Sequence, residues 1–274
     1  MACRFLTAAL RAGISFRLHR APVCLLVIVG LIAADASAAG DQAVADPLDS
    51  PMWNEMQQRL LGGHPVVFDE RVRVIAPVSA EDSLNVPVKI DASAIDHVQR
   101  IVVFADLNPI TRILEFEPMQ ARPVISLNFK VQQATPLRAA VLDGNQVWRV
   151  GGVLLDASGG GCTQPSVGSA ESDWADQLGE VSARLWRRDE GQRLRLRIMH
   201  PMDTGLAASI PEFYIERVEI SNPAGEPLAL IHLYEPVAEN PTLSIDLPGQ
   251  IAALGVRLFA RDNNGNRVSA RVLP

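Results

Sequence analysis

The chain has 274 residues, 48% of them hydrophobic and 20% charged, and its 25 Lys and Arg against 31 Asp and Glu give a net charge of −6. An acidic chain without a basic stripe has no electrostatic hold on phosphates, which excludes nucleic acid as a partner. Its length accommodates one large domain or two of about 100 residues each.

The chain opens with Arg4, Arg11, Arg17 and Arg20, runs through an apolar stretch at 23–34 and closes on Ala36-Ser37-Ala38-Ala39. This pattern predicts a secretory signal peptide over 1–38, hence a periplasmic protein. The apolar stretch falls short of the roughly 20 residues that span a bilayer and meets small residues and a polar tail, which argues against a transmembrane anchor. Ala21-Pro22-Val23 lacks the small residue a lipid-anchored Cys24 would need beside it, and nothing further on resembles a membrane-surface helix, so no membrane association is expected. Cleavage removes the four arginines and Asp35, leaving a mature charge of about −9. It also removes Cys3 and Cys24, so Cys162 remains alone in a compartment that oxidises thiols in pairs. Such a thiol is reactive, paired with another chain, or incidental.

A flexible segment over 39–50 leads into a first unit at 51–157. Asp49-Ser50-Pro51, then Trp53, Met56, Leu60 and Leu61, then Gly62-Gly63, predict a short amphipathic helix. Serine serves as its N-cap, proline as N1 and glycine as its stop, and it forms a lid on the first sheet. From Val66 the period becomes two: Leu84, Val86, Val88 and Ile90 alternate with Asn85, Pro87, Lys89 and Asp91, and 101–104, 113–116 and 124–131 are further strand-like runs. Pro87 marks an edge strand. Asp143-Gly144-Asn145-Gln146, between runs at 137–142 and 147–155, signals a hairpin. Short strands at this density predict an immunoglobulin-like sandwich rather than an α/β layout.

Composition then shifts. Residues 158–176, which include Gly159-Gly160-Gly161-Cys162-Thr163-Gln164-Pro165, carry few apolar side chains and read as a flexible linker with a thiol in it. The three glycines remove every Cβ from the approach to the sulfur, so a partner's groove could close around this arm. An exposed thiol with no Lys, Arg or His beside it in the arm keeps a pKa near 8.5, as suits a carrier activated by its partners better than an autonomous thiol catalyst.

The second unit, 177–274, begins with Val181, Ala183, Leu185 and Arg187 alternating against Ser182, Arg184 and Trp186. It turns at Asp189-Glu190-Gly191-Gln192 and returns as Leu194, Leu196 and Ile198 against Arg195 and Arg197, so one face is buried and the other cationic. That cationic face reads as a solvated strand face or as a docking surface for an acidic partner. Runs at 213–220, 228–234, 243–247 and 256–260, with turns at Asn222-Pro223-Ala224-Gly225 and Asp262-Asn263-Asn264-Gly265, complete a second sandwich. The fold class is therefore all-β, two immunoglobulin-like sandwiches joined by the Gly-rich arm.

Other chemistries leave no mark. There is no Gly-x-Ser-x-Gly elbow, no phosphate-cradling loop and no Gly-x-Gly-x-x-Gly, so no catalytic residue is assigned. His64, His97, His200 and His232 lack metal-ligand spacing, and neither a metal nor another cofactor is expected. Trp53, Trp148, Trp174 and Trp186 fall in or beside predicted elements and read as core or interface anchors rather than a ligand box. His200 and Asp203 read as a turn that orders backbone in preference to a catalytic pair.

The helix, the segment Ala105-Asp106-Leu107-Asn108-Pro109 leading to Ile113-Leu114-Glu115-Phe116-Glu117-Pro118, and the Gly-Gly-Cys arm together resemble SoxY. The second unit resembles SoxZ through His200-Pro201-Met202-Asp203-Thr204-Gly205, Ile210-Pro211-Glu212-Phe213-Tyr214-Ile215, Asn240-Pro241 and the closing Asp262-Asn263-Asn264-Gly265-Asn266-Arg267 turn. Over essentially its whole mature length the chain resembles a fusion of the two subunits of the SoxYZ sulfur-carrier complex, specifically the SoxYZ-like carriers associated with quinoprotein dehydrogenases. The resemblance implies a periplasmic, non-enzymatic carrier that holds a sulfur-type intermediate on Cys162, loaded by a c-type cytochrome and served by sulfur-processing enzymes or a quinoprotein dehydrogenase. It also implies that the two units pack together and that the second is a scaffold and docking surface without chemistry. In SoxY the cysteine sits near a free carboxy terminus; here the arm is tethered at both ends. An accessory role in assembling an exported quinoprotein alcohol dehydrogenase is the alternative function.

Overall fold

The computed structural model describes residues 45–166, 174–188, 191–249 and 254–274. The expected signal peptide at 1–38, the first half of the segment at 39–50, part of the linker and the Asp189-Glu190 turn lie outside them. In the first half, helix α1 (Trp53–Leu61) precedes strands β1 (Val66–Phe68), β2 (Arg73–Ile75), β3 (Ser79–Ala80), β4 (Val86–Asp91), β5 (Arg100–Ala105), β6 (Arg112–Glu117), β7 (Val124–Phe129), β8 (Thr135–Leu142) and β9 (Trp148–Ala157). The second half opens with the one-turn helix α2 (Trp174–Gln177). It continues through β10 (Val181–Arg188), β11 (Gly191–Ile198), β12 (Asp203–Thr204), β13 (Glu212–Phe213), β14 (Ile215–Ser221), β15 (Pro227–Leu233), β16 (Thr242–Leu247), β17 (Val256–Asp262) and β18 (Arg267–Val272).

Period-two burial decides which face of each strand turns inward. Leu194, Leu196 and Ile198 of β11 and Leu243, Ile245 and Leu247 of β16 are buried, whereas Arg195 and Arg197 are exposed. The strands form a ten-stranded sheet, β1-β9-β8-β5-β6-β15-β14-β17-β18 with β3 beside β9, a six-stranded sheet, β10-β11-β16-β7-β4-β2, and the ribbon β12-β13. The result is the all-β architecture of two sandwiches expected from the sequence.

The halves join edge to edge. In the first half β6 and β7 are the outermost strands of their sheets, and in the second half β15 and β16 are. Strand β6 pairs antiparallel with β15 (Leu114 opposite Leu233, Phe116 opposite Ile231), and β7 with β16 (Ile125 opposite Ile245). Both sheets thus run unbroken across the boundary, and four edges that would expose unpaired backbone groups are satisfied. A single buried cluster extends from Val72 to Val272 through both halves. At the seam the Tyr234 hydroxyl accepts a hydrogen bond from Arg112 Nη1 (3.0 Å) and donates to Glu115 Oε1 (3.0 Å).

Helix α1 is the expected lid. Trp53, Met56 and Leu61 pack on Val102, Phe104, Ala140, Trp148 and Val150, on the face of the large sheet away from the main core. Gly62 ends the helix in the left-handed region (φ 64°), its N–H bonded to the Gln57 carbonyl. The start falls two residues later than the serine predicts: Met52 occupies the N-cap, while Ser50 Oγ accepts the Met52 N–H (3.3 Å). Pro87 behaves as an edge residue within an inner strand. It faces Asn128 of β7, and β2 covers β4 only at residues 89–91.

Candidate functional site

Strand β9 ends at Ala157 and feeds the glycines. Gly159 and Gly160 adopt φ of 100° and 93°, which favours glycine. Gly160 N–H donates to the Gln132 carbonyl (3.2 Å) and Gly161 N–H to the Val131 carbonyl (3.0 Å). A Cβ on Gly161 would sit 2.0 Å from the Ser83 carbonyl oxygen and 2.6 Å from that of Val131; one on Gly159 would sit 2.7 Å from the Gln132 oxygen. In this conformation Gly159, Gly160 and Gly161, expected to give the arm its flexibility, serve close approach. They let the arm lie flat against the strand exit and the 82–83 loop.

Cys162 is buried at 0% exposure, not solvated. Its N–H donates to Gln132 Oε1 (3.2 Å), its thiol to the Lys130 carbonyl (3.5 Å), and its own carbonyl accepts the Thr204 hydroxyl (2.6 Å). Burial pushes the thiol pKa up to about 11, with the Lys130 charge pulling against that shift. The thiol is neutral as stowed, contrary to the ordinary, readily ionised thiol expected of an open arm.

Lys130, just past β7, is buried beside it. Its ammonium donates to the Met202 carbonyl, and burial lowers its pKa against the opposing influence of Asp203, Cys162 and Glu239. Asn108 locks the same strand exit: its Nδ2 donates to the Lys130 carbonyl (3.0 Å) and its Oδ1 accepts the Gln132 N–H (2.9 Å).

The His200-Pro201-Met202-Asp203-Thr204 stretch closes the other side. Asn240 Oδ1 accepts the His200 N–H (3.0 Å), and His200 Nδ1 accepts the Met202 N–H (3.1 Å), holding Met202 at φ 53°. Burial lowers the His200 pKa to about 4 although Asp262 Oδ2 lies 3.5 Å from Nε2, so the imidazole is neutral and its Nδ1 free to accept. Asp203 Oδ1 accepts the Ser166 N–H (3.1 Å). Among the described residues, no group of three or more His, Cys, Asp or Glu side chains is arranged to hold a metal.

Sequence reasoning missed Lys130, Gln132 and Thr204 as neighbours of the thiol, and it placed Asn108 in a motif without a role. One signal was present: Lys130 is one of only two lysines in the chain, the other 23 basic residues being arginine. A buried ammonium can shed its proton where a guanidinium cannot.

A SoxY (sulfur oxidation protein SoxY) family model matches residues 57–162, ending on the buried cysteine, and a SoxZ (sulphur oxidation protein SoxZ) model matches residues 183–272. The chain is a SoxYZ-like fusion. Among solved structures, the sulfur carrier protein SoxY from Chlorobium limicola f thiosulfatophilum is similar at 19% identity, covering 39% of this chain and 96% of that one with a TM-score of 0.36. No curated protein matches the chain. In the SoxYZ-like fusion the cysteine closes the SoxY half, and the residue bonded to its carbonyl, Thr204, comes from the SoxZ half. No helix among the described residues is long and apolar enough to cross a membrane.

Proposed function

We propose that this SoxYZ-like fusion is a periplasmic covalent carrier that holds a sulfur-type intermediate on the thiol of Cys162 and presents it to partner oxidoreductases, with no active site of its own. Units at 51–157 and 177–274 flank the arm at 158–176. The observation that carries the reading is the position of Cys162, the last residue of the SoxY match and the one cysteine left after export. The partners are a c-type cytochrome with sulfur-processing enzymes, or a quinoprotein dehydrogenase. Intact mass spectrometry on protein isolated from the periplasm tests it. A reductant-labile adduct on the wild type, absent from Cys162→Ser, is the expected result; an unmodified thiol under inducing conditions overturns the carrier.

The burial of the thiol and the double tether of the arm favour a second reading, an assembly adaptor for an exported quinoprotein dehydrogenase. That reading requires Cys162→Ser to retain dehydrogenase maturation.

A further inference from the structure

Beyond its bonds to Lys130, Val131 and Gln132 of the SoxY half, the arm is gripped at two points by the SoxZ half. Thr204 Oγ1 accepts the Leu206 N–H (3.2 Å), so the hydroxyl's single proton is left to point at the Cys162 carbonyl, 2.6 Å away. Four residues on, the Ser166 N–H is held by Asp203. Between these points Thr163, Gln164 and Pro165 are exposed, whereas Cys162 and Ser166 are buried. Lys130 ties the gripping segment back to the SoxY half through the Met202 carbonyl.

We propose that residues 202–204 form a latch, with Thr204 and Asp203 as positioning residues that hold the arm stowed and keep the Cys162 thiol closed until the arm is released. The latch bears on function through the carrier reading, and it supplies the regulation of that site. The stowed sulfur spends its only proton on the Lys130 carbonyl and has no exposed surface. A sulfur bearing any substituent has no proton for that carbonyl and adds volume to a packed site. Stowing and loading therefore exclude each other: the empty carrier is closed and the charged carrier open. The SoxZ half, expected to be a scaffold and docking surface without chemistry, sets which state is populated.

Alkylation of the mature protein by iodoacetamide reads the latch without any cargo. Native wild type is expected to react at least about 100-fold more slowly than the same chain in denaturant. Loss of one hydrogen bond of about 1 kcal/mol predicts a roughly five-fold faster rate for Thr204→Val, restored to the slow rate by Thr204→Ser. A wild-type rate equal to the denatured one, or a Thr204→Val rate equal to wild type, overturns the proposal. If Thr204→Val fails to fold, hydrogen exchange on the wild-type chain decides. The amides of Gly160, Gly161, Cys162 and Ser166 are expected to share one opening step and to lose protection at least about ten-fold once Cys162 is carboxamidomethylated. Unchanged protection in the alkylated protein refutes the exclusion of loading by stowing. A missing periplasmic adduct would remove the carrier reading and leave these rates untouched.

Discussion

Two buried cations in the SoxY half invite comparison. Arg138 of β8 lies buried beneath α1 between two carboxylates. Its Nε bonds both oxygens of Asp106 (3.1 and 3.0 Å), Nη1 and Nη2 bond Asp46 (2.8 and 2.6 Å), and its guanidinium stacks 4.7 Å from the Trp53 ring centre. Lys130 has no such fork; its ammonium bonds a backbone carbonyl of the other half, that of Met202. A planar guanidinium between two carboxylates is a fixed clamp, whereas an ammonium on a carbonyl is a tie that can be undone. The fold places the clamp under its lid and the tie beside its thiol.

The largest test of this contrast removes each cation in turn. Arg138→Met strands the buried Asp106, whose pKa burial already raises against the pull of Arg138, and is expected to lower unfolding free energy by about 3–5 kcal/mol in chemical denaturation. Lys130→Met is expected to stay within about 1 kcal/mol of wild type, because it also relieves the ammonium's desolvation, yet to accelerate Cys162 alkylation. A large stability loss in Lys130→Met would make the two sites alike.

The next test is pH. His200 titrates near 4 in the folded chain against 6.5 unfolded, so between these values the unfolded state binds more protons. Stability is full above about pH 6.5 and falls as pH drops toward 4, by roughly 3 kcal/mol in all, with arm opening following because the charged imidazole no longer accepts the Met202 N–H. Melting curves across pH 4–7 on wild type and His200→Gln check this, the mutant being expected to lose that slope.

Gly161→Ala sits third. Its Cβ cannot occupy space 2.0 Å from the Ser83 oxygen, so the arm is expected to unseat, with alkylation approaching the denatured rate and about 1–3 kcal/mol lost. The smallest effect lies on the outer face of the six-stranded sheet. Arg184 directly opposes Arg195 across β10 and β11, and Arg195→Glu is expected to raise the melting temperature slightly by turning a like pair into an opposite one.

The strands, the lid helix, the 143–146 hairpin and the inward faces of β11 and β16 were legible because period and turn residues are local properties. The strand partners were not. Nothing near Phe116 names Ile231, and pairing of β6 with β15 depends on two edges meeting across more than 100 residues. The arm misled for a related reason. Glycine permits both freedom and close approach, and the choice at Gly161 was made by the Ser83 and Val131 carbonyls, remote in sequence. Cys162 itself stood out by elimination; its burial depended on Thr204 and Lys130, which only the folded chain brings together.

The inner edges that the halves close against each other leave β10 and β18 as outer edges at the far end of the SoxZ half. Strand β10 carries exposed Arg184, Arg187 and Arg188, and β18 carries exposed Arg267 and Arg271. A second copy trying to add its own β10 or β18 there would bring arginine against arginine. These side chains therefore act as gatekeepers against aggregation, protecting a protein whose interior depends on strand addition from repeating that addition without limit.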